Sequence, residues 1–325
     1  TAVSDATRQA PRYIAPCEYE GDEGGPKGYH LCEHTDEPLG MWVCRCNGCG
    51  PNCAGYKPVD LFGPVTSKHL IYHILPVGNG VWRTGIERLR ESWSLFTGRK
   101  IVAIMTGGPV REQVDPSEGV LEPSRLIPLD SPAEVRKYLP PGCEVFELPN
   151  DSARWELVSW KILWEMILKT AKPTDAVLYA HAKGVTRRPG SPCHRWAELL
   201  YDLALNYPDV VDERLRMFPV VGSLTKFGRH FAPMRQSAWH YHGNFWWARA
   251  GSIKQRLANV PIPHDRWATE AWIGAAYSPQ EAGEVFGPRD RGFFLYNPVH
   301  LNRVLVEYGE WKRKKDLLHK LPLVG

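Results

Sequence analysis

The sequence lacks several features that define large classes of protein. It has no run of about 18 apolar residues, the length that a membrane-spanning helix needs. Residues Thr1 to Pro16 lack the apolar centre of a secretory signal peptide. It also contains no internal repeat and no long low-complexity segment, which excludes solenoid and fibrous architectures. We therefore expect a soluble, globular, cytoplasmic protein without a transmembrane segment.

Strong net charge is also absent. The chain of 325 residues carries 40 Lys and Arg against 36 Asp and Glu, a net charge of +4, which does not support binding to nucleic acid. Residues 1–63 hold five Lys or Arg against nine Asp or Glu, so their net charge is −4 and that of the remainder is +8. A basic remainder is compatible with an anionic substrate such as a nucleotide diphosphate, and equally with an ordinary solvated surface.

The first 63 residues form a cysteine-rich segment that we expect to bind structural zinc. Six of the eight cysteines lie in it, and the last four are separated by one, two and three residues, a spacing at which thiolates converge on one tetrahedral ion. Large aliphatic residues are few, so burial alone would not stabilise the segment, whereas a structural zinc contributes about 10–16 kcal/mol. The favoured ligands are Cys32, Cys44, Cys49 and Cys53, and the further candidates are Cys17, His34 and Cys46.

A secreted disulfide module is the alternative interpretation of this segment, because six is an even number and small cysteine-dense modules are common outside cells. The segment is acidic, which disfavours contacts with phosphate, so we expect a structural appendage or a protein-contact surface. Cys143 and Cys193 are isolated in the sequence, and we expect them to be buried as small apolar residues.

Residues 64–325 alternate between strand and helix patterns and predict one α/β domain. A strand, a helix and a strand with short connections describe a βαβ unit, and hence a mainly parallel sheet flanked by helices. The predicted strands span residues 68–77, 99–106, 144–148, 176–182 and 219–224, followed by an aromatic run at 239–248. The predicted helices span residues 82–96, 152–170, 195–207, 252–258, 267–277 and 307–320.

The aromatic run from Trp239 to Ala248 is the most informative stretch of the chain. Its aromatic residues suit a buried strand, while its polar residues His240, His242 and Asn244 would lie at the mouth of that strand. Because α/β proteins bind ligands at strand ends, these three residues are site candidates. The alternative is a tight turn that leads into an aromatic core strand.

Two further polar clusters fall near the ends of predicted elements. His181 and Lys183 follow a predicted strand, and a lysine followed by glycine there suits a phosphate group. Glu270 lies between Trp267 and Trp272, so partial desolvation would raise its pKa towards that of a general base. The alternatives are a hydrogen-bonded core histidine, a surface lysine and a carboxylate that only complements the helix dipole.

Three motifs, in this order, resemble those of a group of nucleotide-sugar glycosyltransferases. They are residues 179–184 (YAHAKG), 241–248 (YHGNFWWA) and 269–273 (TEAWI), and the second is the most specific. The resemblance covers about residues 67–300 and implies a GT-A-like, Rossmann-like fold for the domain at 64–325. The cysteine-rich segment lies outside it.

The resemblance implies roles for individual residues. Glu270 acts as base on the acceptor hydroxyl in a single displacement, with His181 and Lys183 as further catalytic residues. The sugar donor is a nucleotide sugar, with a UDP-sugar expected first, and the acceptor is a carbohydrate or another hydroxyl compound. The residues implied to bind the sugar donor are Tyr72, Pro76, Asn79, Lys183, His240, His242 and Asn244.

The tryptophans of these motifs divide into two groups. We expect Trp246 and Trp247 to pack in the core. We expect Trp239, Trp267 and Trp272 at the rim of the site, where their rings would stack on sugars.

The chain departs from the resembled family in one respect. It contains no Asp-x-Asp, and the strand end that would carry this metal-binding motif has His181 and Lys183. Manganese or magnesium at the active site is therefore in doubt, because hard divalent ions prefer carboxylate oxygens. Either His181 and His242 help to hold a metal, or Lys183 and a nearby arginine neutralise the diphosphate directly, and we favour the second.

Two other functions compete with a glycosyltransferase. A metal-dependent hydrolase would use His181, His240, His242 and Glu270, since such clusters also activate water. A non-catalytic adaptor would combine the zinc module with a domain that only binds a ligand or another protein.

The cysteine-rich segment yields the first testable prediction. Elemental analysis of the full chain should find about one zinc per chain, because one tetrahedral site uses four ligands. A folded, metal-free protein with oxidised cysteines would establish the disulfide module instead.

Overall fold

The computed structural model describes residues 61–113, 125–151, 156–188, 190–227, 237–262, 268–288 and 295–320. All of them belong to Asp60–Gly325, one of the two compact units into which the chain divides. Every proposed zinc ligand lies outside the described residues, as does Trp267. The zinc module and the role of Trp267 therefore stay predictions.

The described residues alternate between strands and helices. The strands are β1 Lys68–Ile74, β2 Lys100–Thr106, β3 Val110–Arg111, β4 Leu126–Ile127, β5 Glu144–Pro149, β6 Ala176–His181, β7 Val220–Gly222, β8 Thr225–Phe227, β9 Trp239–Tyr241, β10 Trp246–Arg249 and β11 Ala282–Glu284. The helices are α1 Trp82–Glu91, α2 Pro132–Tyr138, α3 Leu157–Leu168, α4 Pro192–Leu205, α5 Pro208–Met217, α6 Ala250–Asn259, α7 Ala268–Ala276 and α8 Pro298–Lys320.

Seven of the described strands form one mixed sheet in the order β11-β7-β10-β6-β1-β2-β5. Strand β1 is parallel to both β2 and β6, and β10 is antiparallel to both of its neighbours. The predicted mainly parallel α/β sheet is therefore confirmed, including the unit formed by β1, α1 and β2. The chain extends the sheet in one direction from β1 and then returns to place β6 on its other side, so a topological switch point lies between β1 and β6.

Side chains alternate along the strands and build a core on each face of the sheet. Trp247 belongs to the core cluster that includes residues of α1, α2, α4, α5 and α8, whereas Trp246 belongs to the cluster on the other face, with residues of α3, α6 and α7. Both tryptophans are buried, as predicted. Trp239 and Trp272 are fully buried as well, so the prediction that they line the rim of the site is wrong.

Several elements differ from the sequence-based prediction. The helix that begins at Trp82 ends at Glu91, and a short 3-10 turn covers Trp93–Leu95. Helices α2 and α5 were not predicted, although each begins with proline in its first turn, and Ser131 caps α2 by accepting a hydrogen bond from the Glu134 N–H. These helices are short, so their periodicity is weak.

The isolated cysteines differ in burial. Cys193 is buried, as predicted. Cys143 is only half-buried, and its thiol donates a hydrogen bond to the Pro140 carbonyl, 3.1 Å away. Among the described helices, none combines the length and the apolar character needed to cross a membrane.

The turn between β9 and β10 depends on Gly243. This residue has a φ of +79°, and a Cβ added to it would overlap the Leu200 side chain. Gly243→Ala should therefore lower the free energy of unfolding by about 2–4 kcal/mol, measured by denaturant titration with tryptophan fluorescence. Gly309→Ala is the matched control, because Gly309 lies in α8 with no atom near its Cβ position, and it should raise stability by about 0.5–1 kcal/mol. An unchanged midpoint for Gly243→Ala would contradict the packing against Leu200.

Candidate functional site

The candidate site lies at the carboxyl ends of β1 and β6, at the switch point of the sheet. The loop after β1 contains Pro76, which is buried, and Asn79. The Asn79 amide donates a hydrogen bond to the Val185 carbonyl, 2.8 Å away, and its oxygen accepts one from the Val81 N–H. Asn79 therefore fastens the loop after β1 to the loop after β6.

Tyr72, the first of the residues implied to bind the sugar donor, lies in the core. Its hydroxyl is 2.5 Å from that of Tyr201, which donates a hydrogen bond to the His181 carbonyl. Burial raises the pKa of Tyr72, so its hydroxyl stays protonated. Tyr72 is fully buried, and its connection to the site is the hydrogen bond to Tyr201.

A largely buried carboxylate, Glu156, connects two of the sequence motifs. It lies at the start of α3 and contacts the His181 Nδ1. Its Oε2 accepts hydrogen bonds from the Tyr179 hydroxyl at 2.8 Å and from the Asn244 amide at 3.2 Å. The sequence analysis missed Glu156, because no motif contains it and no spacing connects it to the residues that it binds.

The two ring nitrogens of His181 both face oxygen atoms. Nδ1 faces the Glu156 carboxylate, and Nε2 lies 2.8 Å from the Gly243 carbonyl, which can only accept a hydrogen bond. Burial would raise the pKa of Glu156, but the charge and hydrogen bond of His181 hold it well below its ordinary value. His181 therefore bonds the Glu156 carboxylate on one side and the turn at Gly243 on the other.

His73 lies beside His181, because these two residues are partners in the register of β1 and β6. It is buried, and burial lowers its pKa to about 4, against the opposing attraction of Glu156. His73 is therefore neutral at pH 7.

Lys183 is held as a largely shielded ammonium close to Glu270. Its side chain is 10% exposed, and its Nζ lies 3.6 Å from the Glu270 Oε1 and 4.6 Å from the centre of the Trp196 ring. Burial would lower the pKa of Lys183, but Tyr296 and Glu270 hold it above its ordinary value. Lys183 and Glu270, which are 87 positions apart in the sequence, thus form one ion pair.

His240 and His242 add two neutral imidazoles to this group. Burial lowers the pKa of His240 to about 4, and the charge of Glu270 only partly opposes this. Burial also lowers the pKa of His242 well below its ordinary value, and Lys226 and Lys183 lower both values further. Lys226 is itself buried, and it is the cross-strand partner of His240 in the pairing of β8 with β9.

Asn244 acts within the protein. Its amide nitrogen donates to Glu156, and its amide oxygen accepts a 2.8 Å hydrogen bond from the Trp246 indole. Its backbone has a φ of +59°, a conformation that asparagine tolerates better than most residues. Asn244 therefore shapes the turn between β9 and β10.

The structure brings four predicted site residues together with a fifth residue, Lys226, in one electrostatic group. We call this group the cation cluster. Lys226 was missed, and so were Trp196, which contacts Lys183, and Tyr296, which packs against Trp196, because their contacts connect distant parts of the chain. The members of the cation cluster are Lys183, Lys226, His240, His242 and Glu270.

Within the described ranges, no group of three or more His, Cys, Asp or Glu is placed to hold a metal ion. Comparison with family models and with curated proteins gives no match to this chain.

The neutral histidines predict a specific pH dependence of stability. In the unfolded chain a histidine binds a proton below about pH 6.5, whereas folded His240 does so only below about 4. Above pH 6.5 the titration of His240 does not lower the free energy of unfolding. As the pH falls from 6.5 towards 4, the unfolded chain binds the extra proton and the free energy of unfolding decreases. In His240→Gln the decrease in the free energy of unfolding between pH 6.5 and 4 should be smaller than in the parent by up to about 3 kcal/mol. The measurement is the free energy of unfolding at several pH values. His300→Gln, in the first turn of α8 and outside the cation cluster, should keep the parent's pH profile. An identical profile for His240→Gln and the parent would refute a neutral, buried His240.

Proposed function

We propose that this chain is a glycosyltransferase that transfers a sugar from a nucleotide-sugar donor to an acceptor hydroxyl. The observation that carries the proposal is the pair of Lys183 and Glu270 beside a topological switch point, 3.6 Å apart and each partly shielded from solvent. An ammonium and a carboxylate at this position supply the two functions that the reaction needs. These are a cation for the leaving group and a base for the acceptor.

Glu270 is the proposed base. It lies in the first turn of α7, and its side chain is 19% exposed, so an acceptor hydroxyl can reach it. In a single displacement, the acceptor oxygen forms a bond to the anomeric carbon while the bond from that carbon to the phosphate oxygen breaks. The acceptor's proton passes to Glu270, and the electron pair of the broken bond stays on the nucleoside diphosphate.

Lys183 is the proposed partner of the leaving group. Its ammonium is fixed over the Trp196 ring, and Arg187 lies nearby over the Tyr296 ring, 5.2 Å from its centre. Fixed cations stabilise the negative charge that develops on the leaving diphosphate, because they need no reorganisation during the reaction. His181 is a positioning residue, because both of its ring nitrogens bond to the protein, one to Glu156 and the other to the Gly243 carbonyl.

The fold supports the proposal. A mainly parallel α/β sheet carries the first motif at the carboxyl end of β6, where such sheets bind ligands. The finer GT-A assignment, the UDP-sugar and the carbohydrate acceptor belong to the proposal. No specific observation favours the metal-dependent hydrolase or the zinc-module adaptor over it.

The first test is ligand binding by the full chain. Thermal unfolding should be recorded with UDP-, GDP- and dTDP-sugars, each with and without manganese. A bound sugar donor at 100 times its dissociation constant stabilises the folded state by about 2.7 kcal/mol, so at least one of these ligands should raise the melting temperature. The absence of a shift with every nucleotide sugar would contradict the proposal.

The second test separates catalysis from binding. Glu270→Gln keeps the shape of the side chain but cannot accept the acceptor's proton, so it should bind the sugar donor as the parent does while transfer falls by about 10²–10⁴-fold. Glu310→Gln, an exposed carboxylate on α8, is the matched control and should transfer at the parent's rate. Equal transfer rates for Glu270→Gln and the parent would remove Glu270 from the mechanism.

A further inference from the structure

The strand end after β6 has the wrong chemistry for a divalent cation. Manganese or magnesium requires ligand atoms with free lone pairs, chiefly carboxylate oxygens. His181, which lies at this position, uses both ring nitrogens within the protein, and Lys183 presents a positive charge. The residues present therefore do not fit the metal that the resembled family implies.

The aromatic surroundings of Lys183 keep its charge in a fixed place. The Trp196 ring lies under the ammonium and is packed edge-on against Tyr296, with ring centres 5.2 Å apart. The aromatic face therefore stabilises the Lys183 ammonium in addition to Glu270.

Lys226 brings a second buried ammonium to the same group. It lies on β8 opposite His240, and it is 3% exposed. The His240 ring lies 5.5 Å from the His242 ring, centre to centre, and the His242 ring lies 5.3 Å from the Trp196 ring that carries the Lys183 ammonium. The two lysines and the two imidazoles therefore form one contiguous group. Burial lowers the pKa of Lys226, because it disfavours the charged form. A bound anion would oppose this effect by stabilising the ammonium.

We infer that Lys183 and Lys226 together replace the divalent cation and bind the diphosphate of the sugar donor directly, with the neutral imidazole of His240 offering a hydrogen bond to its oxygens. Two ammonium groups carry the same formal charge as one divalent ion, and Glu270 reduces the formal net charge of the cation cluster to +1. This inference rests on the proposed function, because the diphosphate belongs to the proposed nucleotide-sugar donor.

The test is calorimetric titration of the full chain with two probes, UDP and inorganic diphosphate. Each titration is carried out once in EDTA and once in manganese chloride. If the lysines replace the metal, both probes bind in EDTA, and manganese does not tighten their binding to the protein. Binding of both probes should also weaken as salt concentration rises, because it is electrostatic.

Variants identify the groups responsible. Lys183→Met and Lys226→Met each remove one ammonium but keep an apolar side chain of similar length, and each should weaken diphosphate binding by about 10- to 100-fold. Lys314→Met removes an exposed lysine from α8 and should bind as the parent does. Unfolding curves for all variants show whether each one folds. If Lys183→Met does not fold, Lys226→Met and Lys183→Arg, which keeps the charge, provide the comparison.

The possible results separate this inference from the proposed function. If UDP binds only with manganese, the proposed function survives and the inference is overturned. If inorganic diphosphate binds in EDTA and depends on both lysines, but no nucleotide or nucleotide sugar binds, the anion site stands and the glycosyltransferase proposal fails. If both probes bind in EDTA with equal affinity to the parent and to both methionine variants, the lysines do not form the site.

Discussion

The candidate site depends on a single buried carboxylate. Removing an ionised carboxyl group from water is costly, and the cost is offset only when charged and hydrogen-bonding partners surround it. Glu156 meets this condition with His181, with the Tyr179 hydroxyl and with the Asn244 amide. Its contacts join α3, β6 and the turn before β10, so the relative positions of these three elements are set by one side chain.

The strained turn at Gly243 and Asn244 follows from this constraint. Both residues have positive φ, and such backbone conformations persist only when the surrounding contacts fix them. The Gly243 carbonyl is bonded by His181, and the Asn244 side chain is bonded by both Glu156 and Trp246. Because His242 directly precedes Gly243, this turn also fixes the position of His242 in the cation cluster. Two motifs that are separate in the sequence are therefore one structural unit.

The sequence predicts the parts of this molecule that local chemistry decides. Strands β1, β2 and β6 are continuous apolar runs buried on both faces, and such runs are recognisable from composition alone. Lys183 and Glu270 were identifiable because each follows or begins a predicted element. The role of Glu156 was not identifiable from the sequence, because its partner Asn244 is 88 residues away and no local pattern encodes that contact. The aromatic run was predicted to have a polar first half at the site, yet Trp239 is buried there, because β9 pairs with β8 and packs against the core.

The choice of histidine beside two lysines has a physical reason. Each additional buried cation would add the cost of desolvation and repel the ammonium groups already present. Burial keeps His240 and His242 neutral instead, and a neutral imidazole still offers one N–H donor. The cation cluster therefore gains hydrogen-bonding capacity without gaining charge. Its two lysines and one carboxylate carry a formal net charge of +1, which is the basis of the inferred preference for an anion.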